Sequence, residues 1–98
     1  MARREYVLPV TVNGRKILKV IIDDHYEEKH LGFIDDGIIL ELVRLLDNGT
    51  YPATAIDKSF EYYVVDHLKL REKYYKLIWL LEKDQLYIGV VNAYRRKK

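Results

Sequence analysis

Two runs of alternating apolar and polar residues open the chain, Tyr6-Val7-Leu8-Pro9-Val10-Thr11-Val12 and Arg15-Lys16-Ile17-Leu18-Lys19-Val20-Ile21-Ile22, and Asn13-Gly14 lies between them. Asn-Gly between β-rich runs predicts a two-residue hairpin, because a type I′ turn needs positive φ at both central positions. Pro9 has no amide to give to a ladder, which assigns the first strand to a sheet edge. The period then changes. Asp23 and Asp24 have the character of helix-entry residues, with Glu27 three positions after Asp24 as in a capping box, and a short helix is predicted over 25–31, ending at Gly32. A second helix, over 36–47 and capped by Asp35 or Asp36, gathers Ile38, Ile39, Leu42, Val43, Leu45 and Leu46 into an apolar stripe opposite Glu41, Arg44 and Asn48. Asn48-Gly49 supplies a left-handed stop.

The pattern beyond 50 returns to a period of two. The segment 50–59, interrupted by Pro52, reads as a loop of about ten residues. Three strands are predicted after it, over 60–69, 73–82 and 85–95. In the middle one Tyr75, Leu77, Trp79 and Leu81 alternate with Tyr74, Lys76 and Glu82, one packed face against one wetter face. The last is apolar on both faces through Val91, as an interior strand is. The expected fold is therefore a single α+β domain over 1–98. It has an N-terminal β-hairpin, two helices and a three-stranded antiparallel meander, forming one sheet with the helices on one face.

Composition narrows this picture. With 49% hydrophobic and 33% charged residues the chain is globular rather than disordered, and no apolar run reaches the roughly 20 residues that cross a bilayer. The absence of cysteine excludes a disulfide framework, a thiolate metal site and a cysteine nucleophile, and makes the cytoplasm the expected location. The N-terminal Arg3-Arg4 leads into a strand-like segment rather than a signal peptide, so the Asn48-Gly49-Thr50 sequon reads as a turn. The net charge of +2 hides an asymmetry. Residues 1–66 carry 8 cations against 12 carboxylates, and residues 67–98 carry 9 against 3. Such a separation suits a polyanion-facing surface, although a solvated tail has the same composition.

Three groups of residues are candidates for chemistry. In His25-Tyr26-Glu27-Glu28-Lys29-His30, a helix makes His25 and Lys29 neighbours at i, i+4, so that a lysine can hold an imidazole neutral or stabilise an oxyanion. The alternative is a pair of solvated surface histidines. A zinc site is disfavoured, since histidines five residues apart do not share a helical face. The dense tyrosines, Tyr62, Tyr63, Tyr74, Tyr75, Tyr87 and Tyr94, are core residues with hydroxyls to satisfy, or the lining of a groove for an unpaired base. In the final strand Asn92, Tyr94 and Arg96 share one face and Arg95 takes the other; Arg95 and Arg96 are candidates to grip a phosphate, with Lys76, Lys97 and Lys98 adding charge. His67, beside Asp66, falls on the face of Glu61, Tyr63 and Val65 and reads as a structural edge-strand residue. The pairs Asp23/Asp24 and Asp35/Asp36 could chelate Mg²⁺, but each stands where a helix cap is expected. There is no P-loop, no dinucleotide fingerprint and no serine-nucleophile setting around Ser59, the only serine.

The order of a histidine-bearing helical segment, an amphipathic helix and strands closing on YYKLIWLLEKDQLYIGVVNAYRRKK resembles the RelE-like toxins of the barnase, EndoU, colicin and RelE group of small ribonucleases. Tyr75-Lys76-Leu77-Ile78-Trp79 and Val91-Asn92-Ala93-Tyr94-Arg95-Arg96 stand where that group carries its penultimate and last strands. Lys76 stands where arginine is usual, and a long N-terminal hairpin precedes the helices. The resemblance implies metal-independent transphosphorylation of RNA with no cofactor. It implies His25 or His30 as general base or acid, and Tyr94, Arg95 and Arg96 on the scissile phosphate. It implies RNA as the partner and an acidic antitoxin protein as a second. The alternative is a non-catalytic module that binds nucleic acid or protein through the tyrosine-lined sheet and basic tail. A homodimer through the Pro9 edge strand is compatible with either.

Overall fold

A computed structural model describes residues 3–23 and 34–96. In chain order the elements are β1 (Arg3–Val12), β2 (Arg15–Asp23), α1 (Asp36–Arg44), β3 (Ala55–Asp57), β4 (Phe60–Leu70), β5 (Lys73–Glu82) and β6 (Tyr87–Arg96). The strands form one six-stranded sheet in the order β1-β2-β6-β5-β4-β3. Every neighbouring pair is antiparallel except β2 and β6, which run parallel with Lys19 beside Tyr87 and Ile22 beside Val90.

The β1–β2 hairpin turns at Asn13 and Gly14, with φ of 54° and 75°, the two left-handed positions a type I′ turn demands. β1 is an edge strand, and its register shifts between Val7 and Val10, around Pro9. The strands that flank the parallel junction carry β-branched residues with 0% exposure, Val20 and Ile22 on β2, with Ile88 and the 2%-exposed Val90 beside them on β6. Burial on both sides is what parallel pairing ordinarily requires.

α1 packs on one face of this sheet. Asp35 caps it, its Oδ1 accepting from the Ile38 amide at 2.9 Å, and Ile39, Leu42 and Val43 are buried. Asp36, in the first turn, accepts from Arg4 Nε at 2.5 Å, from Arg4 Nη2 at 3.0 Å and from the Tyr6 hydroxyl at 2.5 Å, which ties the helix to β1. The hydrogen bond to Asp36, with burial and the carboxylate's charge behind it, raises the pKa of the Tyr6 phenol. After the helix, Asn48 (φ 65°) turns the chain back onto the hairpin. The Thr11 amide donates to Asp47 Oδ1 at 2.7 Å, the Asn48 amide to Thr11 O at 2.6 Å, and the Asn13 amide to Gly49 O at 2.9 Å. This return covers the distal part of the β1 edge. Tyr51 lies against Gly49 so closely that a Cβ there would meet its ring within 2.6 Å, so a side chain at 49 would displace the tyrosine.

The core lies between α1 and the sheet. Trp79 is its largest fully buried side chain, stacked on Tyr63 at 4.3 Å and met edge-on by Tyr51 at 5.6 Å. Its indole nitrogen has no hydrogen-bond partner among the described residues. Leu77 and Leu81 on β5, Ile88 and Ala93 on β6, and Leu8, Val10 and Val12 on β1 complete it.

The structure overturns the expected α+β arrangement in four respects. The molecule is mostly β, and the described residues hold one short helix rather than two. That helix ends at Arg44 rather than 47, with Leu45 44% exposed beyond it; the helix expected over 25–31 lies outside the described residues. The segment 50–59 contains β3, whose Thr54 amide donates to Tyr62 O at 2.8 Å at its entry, so the C-terminal meander has four strands and not three. Finally, the sheet is mixed. The meander's last strand, β6, joins the hairpin by pairing parallel with β2, where a wholly antiparallel sheet was expected.

Candidate nucleic-acid interface

Alternation along β5 divides its side chains cleanly. Tyr75, Leu77, Trp79 and Leu81 are buried toward α1, and Tyr74, Lys76, Ile78, Leu80 and Glu82 turn to the opposite face, where each is half-buried. No described element covers that opposite face. Cross-strand register carries the division to the neighbours. On β6, Arg96 pairs with Tyr74 and Tyr94 with Lys76; on β4, Lys69 pairs with Tyr74 and Tyr62 with Leu80.

Rings and cations therefore alternate in two directions at one end of the open face. One row is Lys69, Tyr74 and Arg96, and the next holds Lys76 beside Tyr94. Lys69 Nζ stands 6.0 Å from the Tyr74 ring centroid, within cation–π range. The Tyr94 hydroxyl is fixed by a 3.1 Å hydrogen bond from Asn92 Nδ2, and Asn92 is itself 5% exposed. Arg96 Nε lies 3.3 Å from Asp66 Oδ1, with the arginine side chain 45% exposed.

A β-bulge completes this end. The β4–β5 register shifts between Val65 and Leu68, leaving Asp66 and His67 unmatched. His67 adopts φ 59°, and its amide donates to Asp66 Oδ1 at 2.8 Å. The extra residue breaks the alternation that would put His67 on the face of Tyr63 and Val65. Its exposed ring instead meets Tyr74 edge-on at 6.3 Å. The imidazole Nδ1 is 3.9 Å from Asp66 Oδ1, beyond a hydrogen bond.

The other end of the same face is a hollow. Gly89 of β6 contributes no side chain, and Leu80 leans over it; a Cβ at 89 would lie 2.8 Å from Leu80 Cδ1. A cavity of about 330 Å³ opens beside them, lined by Phe60, Tyr62 and Tyr87 among others. Tyr87 donates its hydroxyl to Glu82 Oε1 at 2.7 Å. Burial, followed by that hydrogen bond, pushes the Tyr87 pKa up to about 12.

Of the residues singled out from the sequence, the structure brings Lys76, Tyr94 and Arg96 together. Arg95 pairs with Tyr75 and so belongs to the helix side, facing away from Tyr94 and Arg96. His25, Lys29, His30, Lys97 and Lys98 lie outside the described residues. Among the described residues no three of His, Asp or Glu form a group able to hold a metal ion, and no helix is long and apolar enough to cross a membrane. Sequence reasoning missed Lys69 and the Gly89 hollow, and set His67 on the face of Tyr63 rather than beside Tyr74. The bulge at Asp66-His67 left one trace, an Asp whose carboxylate can hold the next amide. Comparison with protein-family models, with curated protein sequences and with solved structures returned no match.

Proposed function

We propose that this protein binds single-stranded nucleic acid, RNA in the first instance, across the open face of its sheet. The observation that carries the reading is the alternation of Lys69, Tyr74 and Arg96 with Lys76 and Tyr94 on three adjacent strands. Single strands need rings on which bases stack and cations that follow the backbone, and this face offers both within one or two strand spacings of each other. Stacking contributes about 1–3 kcal/mol per base, and each neutralised phosphate adds about 0.7 to the logarithmic salt slope. The buried core of a protein–protein interface is depleted of charged residues, whereas here charge is interleaved with the rings.

We read this face as binding without turnover: Tyr94 and Arg95, two of the residues expected on a scissile phosphate, are sent to opposite faces by their register on β6. A cytoplasmic setting, with access to RNA, is part of the proposal. The test is fluorescence anisotropy of a labelled single-stranded RNA in chelator, with the same samples run on a denaturing gel. Expected are salt-sensitive binding, intact RNA, and a loss of at least tenfold in affinity with a flatter salt slope for the double variant Lys76→Glu/Arg96→Glu. Equal affinity in the variant overturns the assignment of this face; metal-independent cleavage of the RNA overturns the non-catalytic form.

A further inference from the structure

The hollow at Gly89 lies on the same face as the ring-and-cation array, about 20 Å along β5 from Tyr74 at the usual rise per strand residue. A strand of nucleic acid laid along β5 and β6 would reach it. We infer that this hollow is a pocket for a single nucleobase bearing an exocyclic amino group, read by the carboxylate of Glu82. The inference rests on the binding reading above and adds to it a preference for base identity.

Size limits the occupant. About 330 Å³ is at the lower end of small-molecule sites, enough for one base with part of its sugar. Shape agrees with a flat ring. Phe60 and Tyr62, their centroids 6.5 Å apart and tilted by 42°, stand on one side, Tyr87 on another, and the Leu80 side chain, lying over Gly89, gives an apolar floor. The chemistry is that of an acceptor. Tyr87 spends its only proton on Glu82 Oε1 and so offers the pocket no donor. Glu82 Oε2 has no hydrogen-bond partner among the described residues. A carboxylate in a partly desolvated pocket selects for N–H donors on the base edge. Adenine, cytosine and guanine offer an amino group, and guanine presents a ring N–H beside it, matching a carboxylate as a fork. Uracil has no amino group, and its one donor on that edge, N3–H, is flanked by two carbonyl oxygens that the carboxylate repels. Arg3, on the rim and without a hydrogen bond or ion pair among the described residues, is placed to meet the adjoining phosphate.

The experiment measures the affinity of labelled uridine octamers in which one central position is uridine, adenosine, cytidine or guanosine, at fixed salt. A single amino-bearing base is expected to tighten binding at least fivefold over the all-uridine strand, guanosine most. Glu82→Gln, nearly isosteric, is expected to bring the guanosine strand down to the all-uridine affinity. Tyr62→Ala, which removes a wall and leaves the carboxylate, is expected to do the same, and a thermal melt of each variant checks that it is folded. Measurable binding with no difference among the four strands overturns the base pocket and leaves the binding face standing. A preference for guanosine that survives in folded Glu82→Gln overturns the role of the carboxylate. Absence of binding to all four overturns both readings together.

Discussion

The two faces of the sheet are built from the same strands yet obey different rules. Toward α1, the side chains of β5 are within a few per cent of complete burial. Toward the open side, their immediate neighbours are half-buried and alternate with lysine, arginine and glutamate. Transfer of apolar surface from water drives the first arrangement. The second leaves apolar and aromatic surface in water, a loss for a free monomer and an asset when a ring of similar polarity stacks on it. One sheet thus separates the surface that stabilises the fold from the surface that recognises a ligand, with a single strand contributing to both.

The sharpest way to break that comparison is to substitute adjacent faces of β5. Trp79→Ala is expected to cost about 3–5 kcal/mol, since it empties the centre of the core between Tyr51 and Tyr63. Urea denaturation followed by circular dichroism would record it, and a loss below 1 kcal/mol would mean that the core lies elsewhere. Tyr74→Ala should cost far less in folding. Its expected loss is about 1–3 kcal/mol of RNA-binding free energy, read by anisotropy on protein whose melting is within a few degrees of the parent. A variant that unfolds instead would erase the distinction between the faces. The smallest effect is a pH dependence at the hollow. The phenol of Tyr87 ionises near 10 in an unfolded chain and at about 12 in the folded one. Its contribution to stability is therefore complete below pH 10 and disappears as pH rises through 12, because burial disfavours the phenolate and ionisation also breaks the hydrogen bond to Glu82. Stability against pH between 9 and 12 should fall in the parent and fall less steeply in Tyr87→Phe, the remaining slope coming from Tyr6, Tyr51 and Tyr63, whose pKa values are also raised.

Much of this could be read from single positions. Asn13-Gly14 named its own turn, Pro9 its edge, and Tyr75-Leu77-Trp79-Leu81 their common face, because each depends on local stereochemistry or on a period of two. What could not be read depends on partners distant in the chain. Nothing in Lys19–Ile22 or Tyr87–Val90 states that these segments lie side by side in parallel. The short β3 escaped because Ala55-Ile56-Asp57 is three residues long and turns into β4 through Lys58 (φ 58°) without a glycine or asparagine to announce it. The same gap affects the candidate site. Arg95 and Arg96 look equivalent as a dipeptide, yet register sends them to opposite faces, and one bulge moves His67 across the sheet.

The placement of β6 also dictates an order of events during synthesis. The hairpin of β1 and β2 leaves the ribosome well before β6, the strand that must lie against Val20 and Ile22. Until then the growing polypeptide holds two half-sheets with raw edges and no common interior. Closure is a late, long-range event of the kind that slows folding, and a chain cut short before residue 87 is expected to stay unfinished, prone to pair its bare β2 edge with any other strand nearby.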